Sequence, residues 1–513
     1  MASSSSSSSN PSVIPATAVV VRRADFPRDF KFGCSTSAIQ TEGAGDEGGR
    51  GPSTWDSLIQ SGQGHRDIAV DSYHRYKEDV QLLKKMGADT YRFSMSWSRI
   101  LPDGTIGGGI NHAGINFYNN LIDELLRYDI TPFVTLFHFD LPQKLQDKYD
   151  GFFSRQIVDD FKAYAKLCFQ TFGDRVKYWS TINEPQIYGS KAERKNSPNA
   201  NPATDPFLAT HIMILCHAHV VQLYKQQYQA TQNGKIGIPL VTKWFKPLTE
   251  SREDVEAAGR AFDFLVGWIL EPLVYGDYPF TMKSLIRNGL PTFSDEEKSL
   301  VQNSFDFIGC NYYTSRYASS IPFNPNETPT DPDQFQSVNL TVYNLSKQPI
   351  GEKASGSDEI YLFPEGLKDL LLYIKKHYKD PTLYVTENGY PEKRDDSIPL
   401  EVALQDDSRI RQILTHLNAV KQAISEGAKV KGYLMWTLMD CMEFESGYQV
   451  RYGLNYTDYL SNLDRIPKKS AKWFHSWLNE HRQTQITTES LDAPHKAGRI
   501  LSSLSTCFKS CTT

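Results

Sequence analysis

The chain has 513 residues, 40% of them hydrophobic, and a formal net charge of -5 from 55 basic and 60 acidic residues. This composition supports a large core, and the mild, mixed charge gives no reason to expect nucleic acid or an anionic membrane as a partner. No continuous apolar run approaches the roughly 18 residues of a membrane span, so we expect no transmembrane segment.

The two ends of the chain differ in composition from its middle. Residues 1–24 are rich in serine and predict a disordered N-terminus, while residues 483–513 lack a sustained pattern and predict a poorly ordered tail. Arg22 and Arg23 follow a short apolar piece rather than preceding it, which argues against a secretory signal. We expect one domain over residues 25–482. The default location is cytoplasmic, with nucleus, plastid and vacuole left open.

Short apolar segments alternate with amphipathic segments from residue 30 onward. The apolar segments predict strands and the amphipathic ones predict helices. In chain order the predicted strands are Phe30–Ser35, Thr90–Met95, Pro132–His138, Tyr178–Asn183, Ile236–Val241, Phe305–Tyr312, Thr382–Thr386 and Gly432–Leu438. The predicted helices are Asp71–Met86, Gly114–Tyr128, Ser154–Phe172, Ala209–Tyr228, Asp407–Ser425 and Lys469–His481.

Eight strands alternating with helices predict a single (β/α)8 TIM barrel, an α/β fold. The strands are apolar throughout rather than alternating, as burial of both faces of a parallel sheet requires. A doubly wound sheet is the alternative, but Gly43–Gly51 lacks the phosphate-binding pattern expected after its first strand. The polar, Pro- and Asn-rich stretch Ser315–Ser357 predicts a long loop over the C-terminal face of the barrel.

Polar residues cluster where the predicted strands end, which is where barrel enzymes place their active sites. Two of them are glutamates, Glu184 after the fourth strand and Glu387 after the seventh. A buried carboxylate is costly unless it is used, and a pair of carboxylates is what glycoside hydrolysis requires. The other polar residues at strand ends are Gln40, Arg92, His138, Asp140, Asn183, Asn311, Tyr313, Asn388, Trp436, Asp440 and Glu443.

Nine short segments, taken in order, resemble the family 1 glycoside hydrolases and in particular the plant β-glucosidases. The similarity covers roughly residues 24 to 480. Within plants the chain is most similar to the alkaloid glucosidases, such as strictosidine and raucaffricine β-glucosidases. The matching segments are Asp25–Pro27, Gln40–Gly43, Gly49–Asp56, Tyr91–Arg99, Phe137–Pro142, Asn183–Pro185, Asn311–Thr314, Thr386–Gly389 and Gly447–Gly453.

The resemblance implies a retaining β-glucosidase that acts on a small-molecule glucoside without a metal or organic cofactor. Glu387 would be the nucleophile and Glu184 the acid/base, and glutamate rather than glutamine at position 184 implies an O-glucoside. The alternative is a pair of structural glutamates in buried ion pairs. Arg92 would hold Glu387 ionised, with Asn311 in a supporting role. The implied substrate-binding residues are Gln40, His138, Asn183, Tyr313, Trp436 and Glu443.

Two further candidate binding residues depart from the family pattern. Phe444 stands where the family usually has tryptophan, so an aromatic wall remains but the indole N–H donor is lost. Glu359 stands where plant relatives commonly have an aromatic platform for the aglycone. A carboxylate at that position would suit a cationic alkaloid aglycone, as in strictosidine. The alternative for Glu359 is a solvated loop residue.

Several functions stay open at this point. The substrate could be another plant glucoside of phenolic, iridoid or aryl type, or the enzyme could be a transglucosidase that excludes water from the second step. The altered segment Cys441–Phe444 suggests a third alternative, a catalytically silent binding or scaffold protein. The sequence does not decide whether the protein forms a homo-oligomer.

Overall fold

The computed structural model describes residues 20–56, 69–191, 194, 200–324, 326 and 328–479. Within these residues eight parallel strands form a closed ring, in which each strand pairs with the next along the chain and the eighth pairs with the first. The predicted (β/α)8 barrel is therefore confirmed. The barrel strands are Lys31–Ser35, Thr90–Ser94, Thr131–Phe137, Tyr178–Ile182, Lys235–Pro247, Phe307–Ser320, Leu383–Glu387 and Val430–Trp436.

The inside of the barrel is filled by side chains rather than open. Phe133 on the third strand contacts Phe307 on the sixth, with ring centroids 5.4 Å apart. These two strands are not neighbours in the ring, so the contact crosses the interior. Tyr384 and Leu434 complete this small apolar cluster. Because the other faces of the strands pack against the helices, an apolar sequence without alternation is what the barrel requires.

Helices surround the ring, and most of the longer ones bury an apolar side. The helix His112–Arg127, for example, buries Ile115, Tyr118, Leu121 and Leu125, which recur at helical spacing. The α-helices are Ala38–Thr41, Ser72–Met86, Trp97–Ile100, His112–Arg127, Gln143–Tyr149, Gln156–Phe172, Pro185–Lys191, Asp205–Gln227, Gln229–Gln232, Arg252–Phe262, Trp268–Tyr275, Phe280–Ile286, Asp295–Val301, Pro364–His377, Leu400–Ala403, Asp407–Ser425 and residues 469–479.

The fifth and sixth strands are longer than the sequence predicted. Their parallel pairing continues to Pro247 and Ala318, well beyond the predicted ends at Val241 and Tyr312. The predicted long loop over residues 315–357 therefore begins inside a strand. Further along it, Val338–Thr341 pairs antiparallel with the sixth strand, and Glu352–Lys353 pairs with Tyr361–Leu362. Cross-strand hydrogen bonds, which a local pattern does not reveal, extend the sheet here.

The predicted N-terminal boundary needs a correction. Residues 1–19 and 480–513 lie outside the described residues, so most of both predicted tails falls there. Residues 20–24, however, belong to the fold. Val21 is buried, and its carbonyl accepts a hydrogen bond of 2.8 Å from Trp477 Nε1 on the last helix. The domain therefore begins before residue 25.

One described helix, Asp205–Gln227, is long and apolar enough to cross a membrane by length and composition alone. The sequence predicted a helix over Ala209–Tyr228 but no apolar run of membrane length, because polar residues such as His211 and His217 interrupt it. In the structure 83% of this stretch is buried inside the protein. The helix lies against Gln156–Phe172 and Pro185–Lys191, which is the setting of a core helix.

The segment after the eighth strand is anchored by a buried charge cluster around Asp440. Lys468 Nζ donates to Asp440 Oδ1 at 2.8 Å, and Arg451 Nη1 donates to Oδ2 at 2.8 Å. Both Asp440 and Lys468 are fully buried. These cations lower the pKa of the Asp440 carboxyl despite its burial. The cluster fixes the chain that leads from Trp436 to Glu443.

We expect Lys468→Met to lower the free energy of unfolding by about 3–5 kcal/mol, because it leaves the buried Asp440 carboxylate short of one cation. The matched control is Lys469→Met, whose ion pair with Asp407 is largely exposed and should contribute less than about 1 kcal/mol. Urea unfolding followed by tryptophan fluorescence measures both. Equal losses for the two variants would show that the cluster does not anchor this segment.

Candidate active site

A cavity of about 260 Å³ opens at the carboxyl ends of the barrel strands. Its walls come from residues that are distant in sequence but lie at the same end of the ring. Nine of the residues predicted from sequence line it, namely His138, Asn183, Glu184, Tyr313, Glu359, Glu387, Trp436, Glu443 and Phe444. Gln40, Arg92 and Asn311 are fully buried behind this wall.

Glu387 is the last residue of the seventh strand, and two donors hold its carboxylate. Arg92 Nη1 on the second strand donates to Oε1 at 2.5 Å, and the Tyr313 hydroxyl on the sixth strand donates to Oε2 at 2.9 Å. Burial raises the pKa of Glu387, while the charge and the hydrogen bond of Arg92 act in the opposite direction. These contacts favour an ionised carboxylate that is fixed in orientation.

Glu184 follows the fourth strand and has a different environment. Its backbone takes a φ of +43°, which is unusual for a residue other than glycine, and its N–H donates to Pro239 O on the fifth strand at 2.9 Å. Its side chain accepts one hydrogen bond, from Asn311 Nδ2 at 2.8 Å. Burial, and then the charge of Glu387, raise the pKa of Glu184 to about 8. A protonated acid is therefore favoured here at neutral pH.

Asn183 and His138 form a hydrogen-bonded chain beside the two glutamates. Asn183 Oδ1 accepts from Arg92 Nη2 at 2.6 Å and from Asn311 Nδ2 at 3.1 Å. Its Nδ2 therefore donates to His138 Nε2, 3.1 Å away, which assigns the imidazole proton to Nδ1. Burial, and then the Arg92 charge, hold the pKa of His138 well below its ordinary value, so the imidazole is neutral.

Glu443, Trp436 and Gln40 form the opposite side of the cavity. Trp436 Nε1 donates to Glu443 Oε1 at 3.2 Å, and burial raises the pKa of Glu443 to about 8. Gln40 lies behind Glu443, where its Nε2 donates to Met442 O at 2.6 Å and approaches Glu443 Oε2 at 3.4 Å. In this structure Gln40 contacts Glu443 and does not face the cavity.

Phe444 supplies an aromatic wall, as the sequence predicted. Its ring lies 4.6 Å from Trp55 and 5.1 Å from Phe139, measured between ring centroids. The rings of His138 and Trp436 are stacked at 5.8 Å. Flat apolar rings beside hydrogen-bonding groups give this end of the cavity the character of a sugar site.

Glu359 lines the cavity, but its carboxylate has a partner that the sequence did not predict. Arg316 Nη2 donates to Glu359 Oε2 at 2.5 Å and to the Glu359 carbonyl at 2.8 Å. The Arg316 side chain is 8% exposed and that of Glu359 is 81% exposed. The Glu359 carboxylate, predicted to suit a cationic aglycone, is therefore part of an ion pair.

Several residues that line the cavity were not predicted from the sequence. Lys243 lies on the fifth strand, the one strand for which no polar end residue was predicted. Arg316 lies on the sixth strand beyond its predicted end. Both were missed because the two strands were predicted too short. The other unpredicted lining residues are Phe139, Thr314, Ile360 and Tyr452.

The described residues offer no cluster of three or more His, Cys, Asp or Glu side chains that could hold a metal ion. The five described cysteines are buried and free. What the cavity does offer is one carboxyl group, Glu387, whose charge two donors stabilise against burial, and a second, Glu184, whose raised pKa favours its acid. Such a pair can supply negative charge and a proton to the same bond.

Comparisons with known proteins agree with this geometry. Residues 22–483 match the family described as Glycosyl hydrolase family 1. Beta-glucosidase 12 of Oryza sativa subsp. indica is 47% identical over 481 residues, covering 89% of this chain and 93% of the relative. The furostanol glycoside 26-O-beta-glucosidase of Hellenia speciosa is 48% identical over 490 residues, covering 92% of this chain and 86% of the relative.

A solved structure shows the same fold. The crystal structure of a rice β-glucosidase superposes with a TM-score of 0.86 at 40% identity, covering 90% of this chain and 100% of that one. Both the sequence match and the structural match extend over nearly the whole barrel. The chain belongs to glycosyl hydrolase family 1 and is an O-glycoside hydrolase of the β-glucosidase type.

Proposed function

We propose that the protein hydrolyses the O-glucosidic bond of a small plant glucoside by double displacement, with Glu387 as nucleophile and Glu184 as acid/base. This proposal rests on the difference between the environments of the two carboxyls. Arg92 and Tyr313 both donate to Glu387, whereas burial beside Glu387 raises the pKa of Glu184.

In the first step the Glu387 carboxylate attacks the anomeric carbon, and the bond from that carbon to the aglycone oxygen breaks. Glu184 gives its proton to the departing oxygen, so the aglycone leaves as a neutral alcohol. The products are a glucosyl ester on Glu387 and an ionised Glu184. Arg92 keeps its hydrogen bond to Asn183 when the charge of Glu387 is lost, so the geometry of the site is preserved.

In the second step Glu184 acts as a base. Loss of the Glu387 charge removes one cause of its raised pKa, but burial remains, so Glu184 can take a proton from water. The water oxygen attacks the anomeric carbon and displaces the Glu387 carboxylate. Two inversions give glucose with retained configuration, and both carboxyls return to their starting states.

The glucose is proposed to lie between Trp436, Phe444 and the hydrogen-bonding groups around them. Asn183 would contact the 2-hydroxyl, where a hydrogen bond strengthens toward the transition state. Glu443 and His138 face the cavity and would bind the outer hydroxyls. Gln40 would act on Glu443 from behind, with Asn311 and Arg92 orienting the two glutamates.

The alternatives differ in what they require of this site. A silent binding protein needs neither glutamate, yet both have the partners that the chemistry demands. A transglucosidase would use the same first step, so transfer to an added alcohol acceptor separates it from a hydrolase. The altered segment at residues 441–444 keeps its carboxylate and an aromatic ring in the cavity.

An alkaloid glucoside such as strictosidine is the finer prediction from the resemblance. This prediction rested on the Glu359 carboxylate, which would suit a cationic aglycone. Because Arg316 pairs with that carboxylate, Glu359 no longer supplies an uncompensated negative charge. The relatives reported above are not named for alkaloids. The alkaloid aglycone therefore remains a prediction, which the hydrolysis of an alkaloid glucoside would test directly.

We expect a chromogenic aryl β-glucoside to be hydrolysed by the wild type and to lose about 10⁴-fold or more in kcat with Glu387→Gln, which removes the nucleophile. The panel includes strictosidine and a neutral plant O-glucoside, with glucose release as the readout. Strictosidine turnover above the aryl rate would establish the alkaloid assignment. Aryl turnover without strictosidine turnover would reject it, and no turnover of any glucoside would favour the silent protein.

The raised pKa of Glu184 predicts the alkaline side of the pH profile. Since Glu184 must hold a proton to act as the acid, kcat/KM for a 4-nitrophenyl β-glucoside should fall as pH rises through about 8. A 2,4-dinitrophenyl β-glucoside has a leaving group that needs little protonation and serves as the control. Its profile should lack this alkaline decline. The same decline for both substrates would contradict the assignment.

A further inference from the structure

The cavity has an inner end for the sugar and an outer end with a different set of charges. Lys243 lies four residues beyond Pro239, the residue that accepts the Glu184 N–H, and the strand runs toward the mouth. At about 3.3 Å per residue this places Lys243 roughly 13 Å further along the strand. Arg316 likewise lies three residues beyond Tyr313, which contacts Glu387. Both cations therefore flank the space where the aglycone leaves.

Both terminal nitrogens of Arg316 bond to protein partners. Its Nη1 donates to Thr314 Oγ1 at 3.1 Å and to Ser315 O at 2.9 Å, and its Nη2 is held by Glu359. The positive charge of Arg316 and the negative charge of Glu359 offset each other within this ion pair. This pair leaves no net charge for a ligand.

Lys243 differs because its ammonium lines the same cavity without a hydrogen bond or ion pair to any described residue. The acids that act on it electrostatically are Glu359, Asp333 and Glu184. Glu359 is paired with Arg316, while Asp333 Oδ1 accepts from Gln336 Nε2 at 3.3 Å. Of the two cations at the outer end, Arg316 has a carboxylate bound directly to it, whereas Lys243 has no carboxylate within ion-pair distance among the described residues.

An unpaired ammonium in a partly desolvated cavity is costly for the free protein. Burial, and then the Arg316 charge, lower the pKa of Lys243. Folding has therefore already removed part of the water around Lys243 before a ligand binds. An anion that binds there forms a charge-assisted hydrogen bond and does not have to dehydrate a fully solvated lysine. A cationic aglycone would meet repulsion at the same place.

Building on the proposed glucosidase function, we infer that Lys243 makes the protein selective for a glucoside whose aglycone carries a carboxylate. The glucose binds at the inner end, the scissile oxygen lies between the two glutamates, and the aglycone carboxylate pairs with Lys243 at the outer end. Lys243 thus acts as a specificity residue that takes no part in breaking the bond.

Lys243 could instead act through the pKa of Glu184, and this second role would give a different experimental result. The same ammonium lowers the pKa of Glu184 by its charge. If that were its sole effect, removing Lys243 would move the alkaline side of the pH profile upward by the same amount for every substrate. Selectivity among aglycones of different charge would then be unchanged, so substrates matched in shape distinguish the two roles.

The test compares 4-carboxyphenyl β-glucoside with its uncharged methyl ester and with the cationic 4-(aminomethyl)phenyl β-glucoside. For Lys243→Met we expect kcat/KM to fall about 10- to 100-fold for the carboxylate, to change about twofold or less for the ester, and to rise for the amine. Comparing each substrate between variant and wild type cancels the differences in leaving-group acidity. Lys243→Arg should retain most of the carboxylate preference.

Lys246→Met is the matched control, since Lys246 lies on the same strand but is exposed outside the cavity. It should leave all three rates within about twofold of the wild type. Equal changes on the three substrates in Lys243→Met would overturn the inference while the glucosidase function stands. Failure of the wild type to cleave any of them would overturn the proposed function itself. Should Lys243→Met fail to fold, Lys243→Gln supplies the same comparison.

Discussion

The buried guanidinium of Arg92 is the group on which the catalytic centre depends. It neutralises Glu387 through one nitrogen and orients Asn183 through another. Without this cation the Glu387 carboxylate would be left uncompensated inside the barrel, at a cost of about 3–5 kcal/mol. Asn311 extends the same network to Glu184. Residues from four different strands therefore fix the two carboxyls in different environments. Double displacement depends on this difference, because one carboxyl must act as nucleophile and the other as acid.

The two ends of the cavity obey different physical constraints. The inner end sits on the closed ring, where every strand has two neighbours and hydrogen bonds fix each side chain. The outer end is formed by the fifth and sixth strands after they extend beyond the ring, together with the segment that carries Glu359. The Glu359 side chain there is 81% exposed, and it lies on a segment outside the eight barrel strands. The catalytic chemistry and the choice of aglycone are thus carried by separable parts of one cavity.

The sequence predicted the barrel and most of the inner site because both have local signals. Apolar segments of the right length predicted all eight strands, and the residues at their ends predicted Glu184, Glu387 and their neighbours. Pairings between distant segments had no local signal. The ion pair between Arg316 and Glu359 joins residues 43 positions apart, and it removed the argument for a free carboxylate. The burial of Gln40 behind Glu443, and the position of Lys243 in the cavity, likewise depend on where distant strands meet.

The most direct test of the central claim is the anomer of glucosyl azide formed by two alanine variants. Each is given 2,4-dinitrophenyl β-glucoside and sodium azide. Glu184→Ala keeps the nucleophile, so azide should attack the glucosyl-enzyme and give the β-azide after two inversions. Glu387→Ala lacks it, so azide should attack the substrate directly and give the α-azide after one. The reverse assignment, or the same anomer from both variants, would contradict the proposed roles of the two glutamates.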